Sequence, residues 1–515
     1  MKMAITTNEI LIPKKLLSTK VEKELEYDFP LPEYCHDIAR LIKVDCTPFA
    51  ESCSIEDGKA VVKGKALFDI LYETDYKSRL RCVSFVQDFS QSVNLPRSNA
   101  ETVTAFCKVN CERIGCKLLS TRRLVAKATV GAKFDIEGEI SVSAVAVNEG
   151  NGIFFKKKEI SHNGKTELFE NEFRFSESLP LNQSEKPIGE IVCGNILLQE
   201  PQITLSNGHA DIKTTANMHV LCEDENNEGR YYMSQKTLPI NIDFENENID
   251  SQKRVSVSLE PTSPEFTPEL DQYGESRIIK ASFAIKANVK VNDTNTVTVA
   301  DDLFEKDFDS VPNIATATLP HFHSQSEVSF SSEGNIAPTS PKAENILDAV
   351  VRDYGSTAEK TEGGVNIGGN FVVTLITETA DGIYSLDHSI PYNQFFPLEF
   401  PEGESTVTAD SYPIEVTSTL HPDGSVTARV VAGAKIYIFT ESEESFVSEV
   451  GKRTPRENID DGSALIYFFP EKGEDVWTIS KLYRADPETI LIANENMFSE
   501  EGKPVESGKP ILIKN

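Results

Sequence analysis

The sequence predicts a mainly β protein: three tandem antiparallel β modules, then a small α+β unit of order strand, helix, helix, strand. Three observations carry this. Runs of strict period-two alternation recur at offsets of 150 and 155 residues. Turn dipeptides stand between them: Asp57-Gly58, Asn207-Gly208, Asp381-Gly382 and Asp423-Gly424. The last stretch of the 515-residue chain switches to helical spacing behind a strong helix start.

In the first alternating run, Val62, Gly64, Ala66, Phe68, Ile70 and Tyr72 share one face, as in a half-buried strand. The pattern returns with Ile212, Thr214, Ala216, Met218, Val220 and Cys222, and again with Ile367, Gly369, Phe371, Val373, Leu375 and Thr377. A second strand recurs later in each module. Ala132, Phe134 and Ile136 match Ala287, Val289 and Val291, then Ala434, Ile436 and Ile438. A short extended stretch precedes each module, at Leu25 and Tyr27, Phe173 and Phe175, and Val328 and Phe330. Mixed apolar segments follow (Ile38, Leu41, Ile42; Ile188, Ile191; Ile346, Leu347, Val350), and periodicity leaves them open between strand and helix.

The acidic, Pro-bearing stretches 177–186 and 331–342 read as linkers, which makes the three copies a chain of modules. The expected divisions are 1–182, 183–338, 339–450 and 464–515. In the last of these, residues 464–469 read as a strand. Val476, Ile479 and Tyr483 then share one side of a helix. Asp486-Pro487-Glu488 starts a second helix, with a capping carboxylate, proline at the first position and an acid in the first turn. Residues 510–513 read as the closing strand.

Lys and Arg total 51 against 81 Asp and Glu, a formal net charge of −30. Non-specific nucleic-acid binding needs a basic stripe, so no nucleic-acid partner is expected. No apolar run suits a secretory signal or a membrane span, so the expectation is a chain that stays in the cytosol, with no transmembrane segment. Of the nine cysteines, seven lie in the first 116 residues. Cys107, Cys111 and Cys116 lack the paired spacing of a zinc ribbon and read as small buried hydrophobes. Gly363-Gly364 and Gly368-Gly369 have no Gly-Lys-Ser/Thr behind them and read as turn and bulge glycines. His321 and His323 share a strand face without further ligands nearby, which reads as a solvated strand. No nucleophile elbow is present. The expectation is a non-enzymatic protein with no cofactor and no metal.

The C-terminal unit resembles the LysM domain. Gly473, Trp477, Ile479, Tyr483, Ile490, Ala493, Asn494, Gly508, Ile511 and Ile513 match the family pattern. The resemblance implies a βααβ fold and binding of N-acetylglucosamine-containing glycans along a groove. That groove is lined by the loops before the first helix and after the second. Carried onto this sequence, the recognition surface is Gly473, Asp475, Val476, Trp477, Asn494, Asn496 and Met497. Trp477, the only tryptophan, serves as core residue, groove edge or both. Asp475 replaces the threonine of the family's loop, and Glu495 stands where proline is frequent.

The stretches LPEYCHDIARLIKVD (31–45) and GKAVVKGKALFDILYE (58–73) look like the SPOCS domain of spore-coat proteins, with weaker echoes in the second and third modules. SPOCS repeats followed by one LysM domain resemble the SipL-type coat morphogenetic proteins. That likeness implies a structural adaptor in the mother-cell cytosol, recruited to the forespore surface. Its implied partners are a SpoIVA-like coat ATPase, bound through the LysM region, and other coat proteins. The alternative is a LysM carbohydrate-binding protein anchored to peptidoglycan or its lipid-linked precursor.

Overall fold

Each alternating run becomes the middle strand of an antiparallel sheet of three or four strands. The computed structural model describes residues 6–147, 152–455, 465–471, 474–495, 497–499 and 509–514. The first strands are β1 (Thr7–Pro30), β2 (Ile38–Glu56), β3 (Lys59–Thr74), β4 (Leu80–Asn94), β5 (Thr102–Ser120) and β6 (Arg123–Val145). They form two sheets, β1-β6-β5 and β2-β3-β4. On β6, Leu124, Ala126, Ala128, Val130, Ala132, Phe134 and Ile136 are all fully buried. On β3, Ala60, Val62, Ala66, Phe68 and Ile70 are. The alanines of β6 leave depth for aromatic rings between the sheets, where Phe29 and Phe68 lie 5.3 Å apart. The β2–β3 hairpin closes on Asp57 and Gly58, both at positive φ (48° and 72°). A two-residue turn of this hand matches strand twist, and Asp-Gly suits it best.

The same pairing recurs twice. The second set is β7 (Ile153–Pro180), β8 (Ile188–Leu198), β9 (Gln202–Ser206), β10 (His209–Asp224), β11 (Tyr231–Glu245), β12 (Arg254–Leu270) and β13 (Ser276–Glu305). Its sheets are β12-β13-β7 and β11-β10-β8, with β9 also on β10. Pro201 lies between β8 and β9, where it lacks the N–H a continuous ladder needs. The third set is β14 (Phe308–Ile336), β15 (Ala343–Thr361), β16 (Gly364–Thr379), β17 (Gly382–Pro397), β18 (Ser405–Leu420) and β19 (Val426–Pro455). Its sheets are β14-β19-β18 and β15-β16-β17. The mixed apolar segments left open by periodicity are strands, in β2, β8 and β15.

The linker reading needs correction. Residues 177–180 end β7, with Glu177 opposite Ala281 of β13, and residues 331–336 end β14, with Ser331 opposite Val431 of β19. Divisions at 182 and 338 therefore fall behind β7 and β14, the very strands that pair with the sets following them. The physical cause is that β7 and β14 are outer strands with much solvent-facing surface, so their Ser and Glu content imitates a linker. The last set also runs past 450, to Pro455.

The sets do not form an open chain of modules; they close on one another. The first meets the second where the Tyr231 hydroxyl accepts from Leu80 N–H (2.8 Å) and Arg81 pairs with Glu190 (2.9 Å). The second meets the third through His219 and Asp348 (2.8 Å) and through Lys435 and Glu200. The third returns to the first through Arg352 and Asp45 (2.8 Å), and Arg40 lies over the Tyr384 ring at 4.2 Å. Two apolar clusters take side chains from all three. One holds Ile10, Ile12, Ile160, Val299, Leu319 and Phe446, and the other Leu71, Leu80, Val192, Leu221, Ile376 and Ile383. No helix among the described residues is long and apolar enough to cross a membrane.

Phe446→Ala should therefore destabilise the chain by about 3–5 kcal/mol. The loss should also spread: native-state hydrogen exchange should accelerate in β1 and β7 as well as in β19. Acceleration confined to β14–β19 would contradict the shared cluster.

Candidate functional site

The C-terminal unit is built from β20 (Leu465–Phe468), α1 (Val476–Tyr483), α2 (Pro487–Ala493) and β21 (Ile511–Lys514). The strands pair antiparallel, with Ile466 opposite Ile513 and Phe468 opposite Ile511. Both helices are short, so their ends matter. The Asp475 carboxylate caps α1, accepting from Thr478 N–H (2.7 Å) and from its hydroxyl (2.6 Å). Arg484 ends α1 in the left-handed region, its N–H bonded to Ser480 O. Asp486 caps α2 through Glu488 N–H (2.9 Å), with Pro487 behind it. Ile479, Ile490, Ile511 and Ile513 form the core, flanked by Ile466, Phe468, Val476 and Tyr483.

The recognition residues expected from the sequence divide sharply. Gly473 and Asn496 lie outside the described residues. Val476 packs on the small core. Asp475 is committed to its cap. Burial works against its charge, but the Thr478 hydroxyl and amide hold the carboxyl below the usual range. Asn494 is a correction: it is not part of an exposed contact surface, being only 8% exposed. Its amide donates to Ile490 O (2.7 Å) and Leu512 O (2.8 Å) and accepts from Leu512 N–H (2.7 Å). A single side chain thereby ties α2 to β21, and its polar atoms are already consumed. Met497 is half-buried beside it, its N–H bonded to Asn494 O (3.0 Å).

Trp477 faces the body of the protein. Its indole N–H donates to Asp302 Oδ2 at 2.9 Å, and its ring lies 5.1 Å from Phe304 at the end of β13. Lys481 reaches both oxygens of Asp302 (2.7 and 2.6 Å), and Arg484 donates to Glu305 O (3.0 Å) and Asp309 (2.7 Å). One face of α1 is thus seated on the β13–β14 connection. Burial raises the cost of charging Asp302, but Lys481 and Trp477 outweigh it and hold the carboxyl below its ordinary value.

A different surface is left open. Leu465, Tyr467 and Phe469 are 54%, 66% and 59% exposed; Leu482 and Ile492, on the two helices, are 59% and 74% exposed. The family pattern does not single these residues out, yet the sequence carries a signal. Leu-Ile-Tyr-Phe-Phe (465–469) is apolar at every position, whereas a half-buried strand would be polar at alternate ones. Elsewhere, His321 is satisfied by Ser442 at 2.8 Å. His209, Asp243 and Glu245 gather ligand-type atoms at one end of the β10–β11 pair, half-buried to exposed.

What the geometry defines is a mainly β protein of several antiparallel sheets with a small helical unit seated on it. The family described as "SipL, SPOCS domain" matches residues 37–119, which span β2 to β5, and the chain is similar to that family there. No curated protein and no solved structure matches the chain.

Asp302→Ala should unseat α1 at a cost of about 2 kcal/mol, the size of lost hydrogen bonds to a charged group. Trp477 is the only tryptophan, so its emission should shift to the red while the β circular-dichroism signal persists. Acid should do the same. A carboxyl with a lowered folded pKa contributes stability above its unfolded value, near 3.9, and loses it as pH falls through the folded value. The shift should appear below about pH 4 and be absent near neutrality. Asn494→Ala should loosen α2 from β21 by about 3 kcal/mol, seen as faster amide exchange in both.

Proposed function

We propose that this chain is a non-enzymatic structural adaptor in spore-coat morphogenesis. In this reading three SPOCS-like β modules form the body, and a LysM domain at the C-terminus docks a SpoIVA-type coat ATPase. The protein then acts at the forespore surface from the mother-cell side, helping the coat encase the forespore. The SPOCS match over residues 37–119 supports the coat-associated role. The engagement of the expected groove residues within the fold supports a protein partner over a sugar. Asp475 is spent on a helix cap, Asn494 on a brace and Trp477 on the body, so three residues of the expected glycan groove are engaged already. The observation that carries the docking assignment is the exposed apolar set Leu465, Tyr467, Phe469, Leu482 and Ile492. Exposed apolar surface of this kind marks interaction sites, and Tyr is favoured where binding energy concentrates.

The test compares the full chain with a Tyr467→Ser, Ile492→Ser double variant, both positions being too exposed to disturb the fold. Binding to the ATPase should weaken at least about tenfold, the effect of roughly 1.4 kcal/mol. Unchanged binding would remove the docking assignment. Retention of both proteins on insoluble peptidoglycan, with no ATPase binding, would favour the carbohydrate reading instead.

A further inference from the structure

Six of the nine cysteines stand in three facing pairs. Cys46 stands beside Cys111, Cys53 beside Cys107 and Cys82 beside Cys193, each thiol perturbing its neighbour. Each pair also sits within a single apolar cluster. All nine are free thiols in this structure.

The strand order explains the placement. β2 and β5 are outer strands of the first set's two sheets, and they lie against each other along an open seam. Cys46 and Cys53 are on β2, opposite Phe68 and Val62 of β3. Cys111 and Cys107 are on β5, opposite Val130 and Phe134 of β6. Two pairs thus mark successive points of one seam. The third pair joins β4 to β8, which belong to different sets.

Burial alone does not call for cysteine here. Ile196 and Val351 take the place of Cys46 by register, being opposite Met218 and Val373. Ile203 and Ala358 take that of Cys53. On the facing strands, Pro261 and Pro413 replace Cys111, and Val257 and Ala409 replace Cys107. The second and third sets close the seam with aliphatic side chains and proline. Only the first changes both members of both pairs to cysteine together.

We propose that these pairs are oxidative cross-linking sites, with Cys46–Cys111 and Cys53–Cys107 stapling the two sheets of the first set and Cys82–Cys193 fastening the first set to the second. The oxidant is a low-molecular-weight disulfide. Cys111 is the entry point of its pair. The adjacent Cys46 thiol holds its pKa below the ordinary value against burial, and the Arg352 guanidinium, held by Asp45 at 2.8 Å, adds positive charge, so its thiolate is favoured. The Cys111 thiolate attacks one sulfur of the small disulfide and expels a thiolate, which takes a proton. Cys46, losing its own proton, then attacks the Cys111 sulfur of the mixed disulfide and expels the second thiolate. Two protein thiols are oxidised by two electrons, one small disulfide is reduced to two thiols, and the two protons end on those thiols. Cys53, whose pKa the adjacent Cys107 thiol lowers against burial, plays the same part in its pair. Cys35 and Cys222 stand beside tyrosine hydroxyls instead, of Tyr72 and Tyr232. In a reducing cytosol the pairs stay open; an oxidising pool closes them.

The experiment uses the full chain, reduced and then equilibrated with excess oxidised glutathione. Thiols counted after denaturation should fall from nine to three. Peptide mapping should find the three named linkages and leave Cys35, Cys116 and Cys222 free. The thermal midpoint should rise by roughly 5 °C and return on adding dithiothreitol. Cys111→Ser should delete the Cys46 linkage while leaving the other two. Nine thiols persisting under conditions that oxidise an exposed dithiol peptide would overturn the proposal. So would shuffled linkages such as Cys107–Cys111, or linkages between chains only.

Discussion

Ile10, Ile160, Leu319 and Phe446 stand on long strands, outside the main cores of their own sets, and bury one another. A two-sheet set with one such side chain exposed leaves about 2 kcal/mol of burial unrealised. Three sets sharing a cluster realise it together, and Leu71, Leu221 and Ile376 repeat the arrangement in a second shared cluster. The polar contacts around the ring, such as Arg352 with Asp45 and His219 with Asp348, then fix which face meets which. Polar contacts of this kind contribute modestly to stability, so the apolar clusters supply the association and the polar contacts its register.

The seat of the C-terminal unit depends on that body. Asp302 and Phe304 stand at the end of β13, just past Val299 and Ala300, which are fully buried where the sets meet. A rigid strand end therefore presents one carboxylate and one ring, and α1 answers with Trp477 and Lys481. The small unit has a core of four isoleucines and little else, which is marginal for an independent fold. Docking on the body compensates for that, and it also decides which face remains open. With α1 turned inward by Trp477, the outer face of β20 and the flanks at Leu482 and Ile492 are what the unit offers to anything else.

Much of this was legible in the chain. Period-two alternation located β3, β10 and β16 and the inner halves of β6, β13 and β19, because a middle strand covered on one face leaves no other pattern. Asp486-Pro487 marked α2 by the chemistry of its cap. The outer strands β7 and β14 were illegible, since pairing on one edge imposes no composition that separates Ser- and Glu-rich strand from linker. Closure of the three sets was illegible too. Ile10 and Phe446 are 436 positions apart in the sequence, and no local pattern announces a contact between them. At the C-terminal unit the family pattern named the right segment but mixed two kinds of residue. Asn494 matches because the fold needs its brace, and a residue required by the fold looks the same in a pattern as one required by a ligand.

That distinction bears on the repeats as well. Their shared pattern records what every set must do, which is to bury a middle strand, and says nothing of how one set differs from the next. Differences gather at the seam between outer strands, where no ladder hydrogen bond fixes the side chain and several residue types satisfy burial. There the second set uses Ile196 with Pro261 and the third Val351 with Pro413, while the first uses two thiols at the corresponding points. The seam is thus free to carry chemistry because the fold does not depend on which side chains fill it. Its position gives that chemistry reach: the Arg352 guanidinium of the third set adds positive charge near Cys111 of the first, and Cys82 of the first shares an apolar cluster with Cys193 of the second. A reaction at the first set's edges is therefore felt across the ring, since the groups that bias it and the groups it joins belong to neighbouring sets.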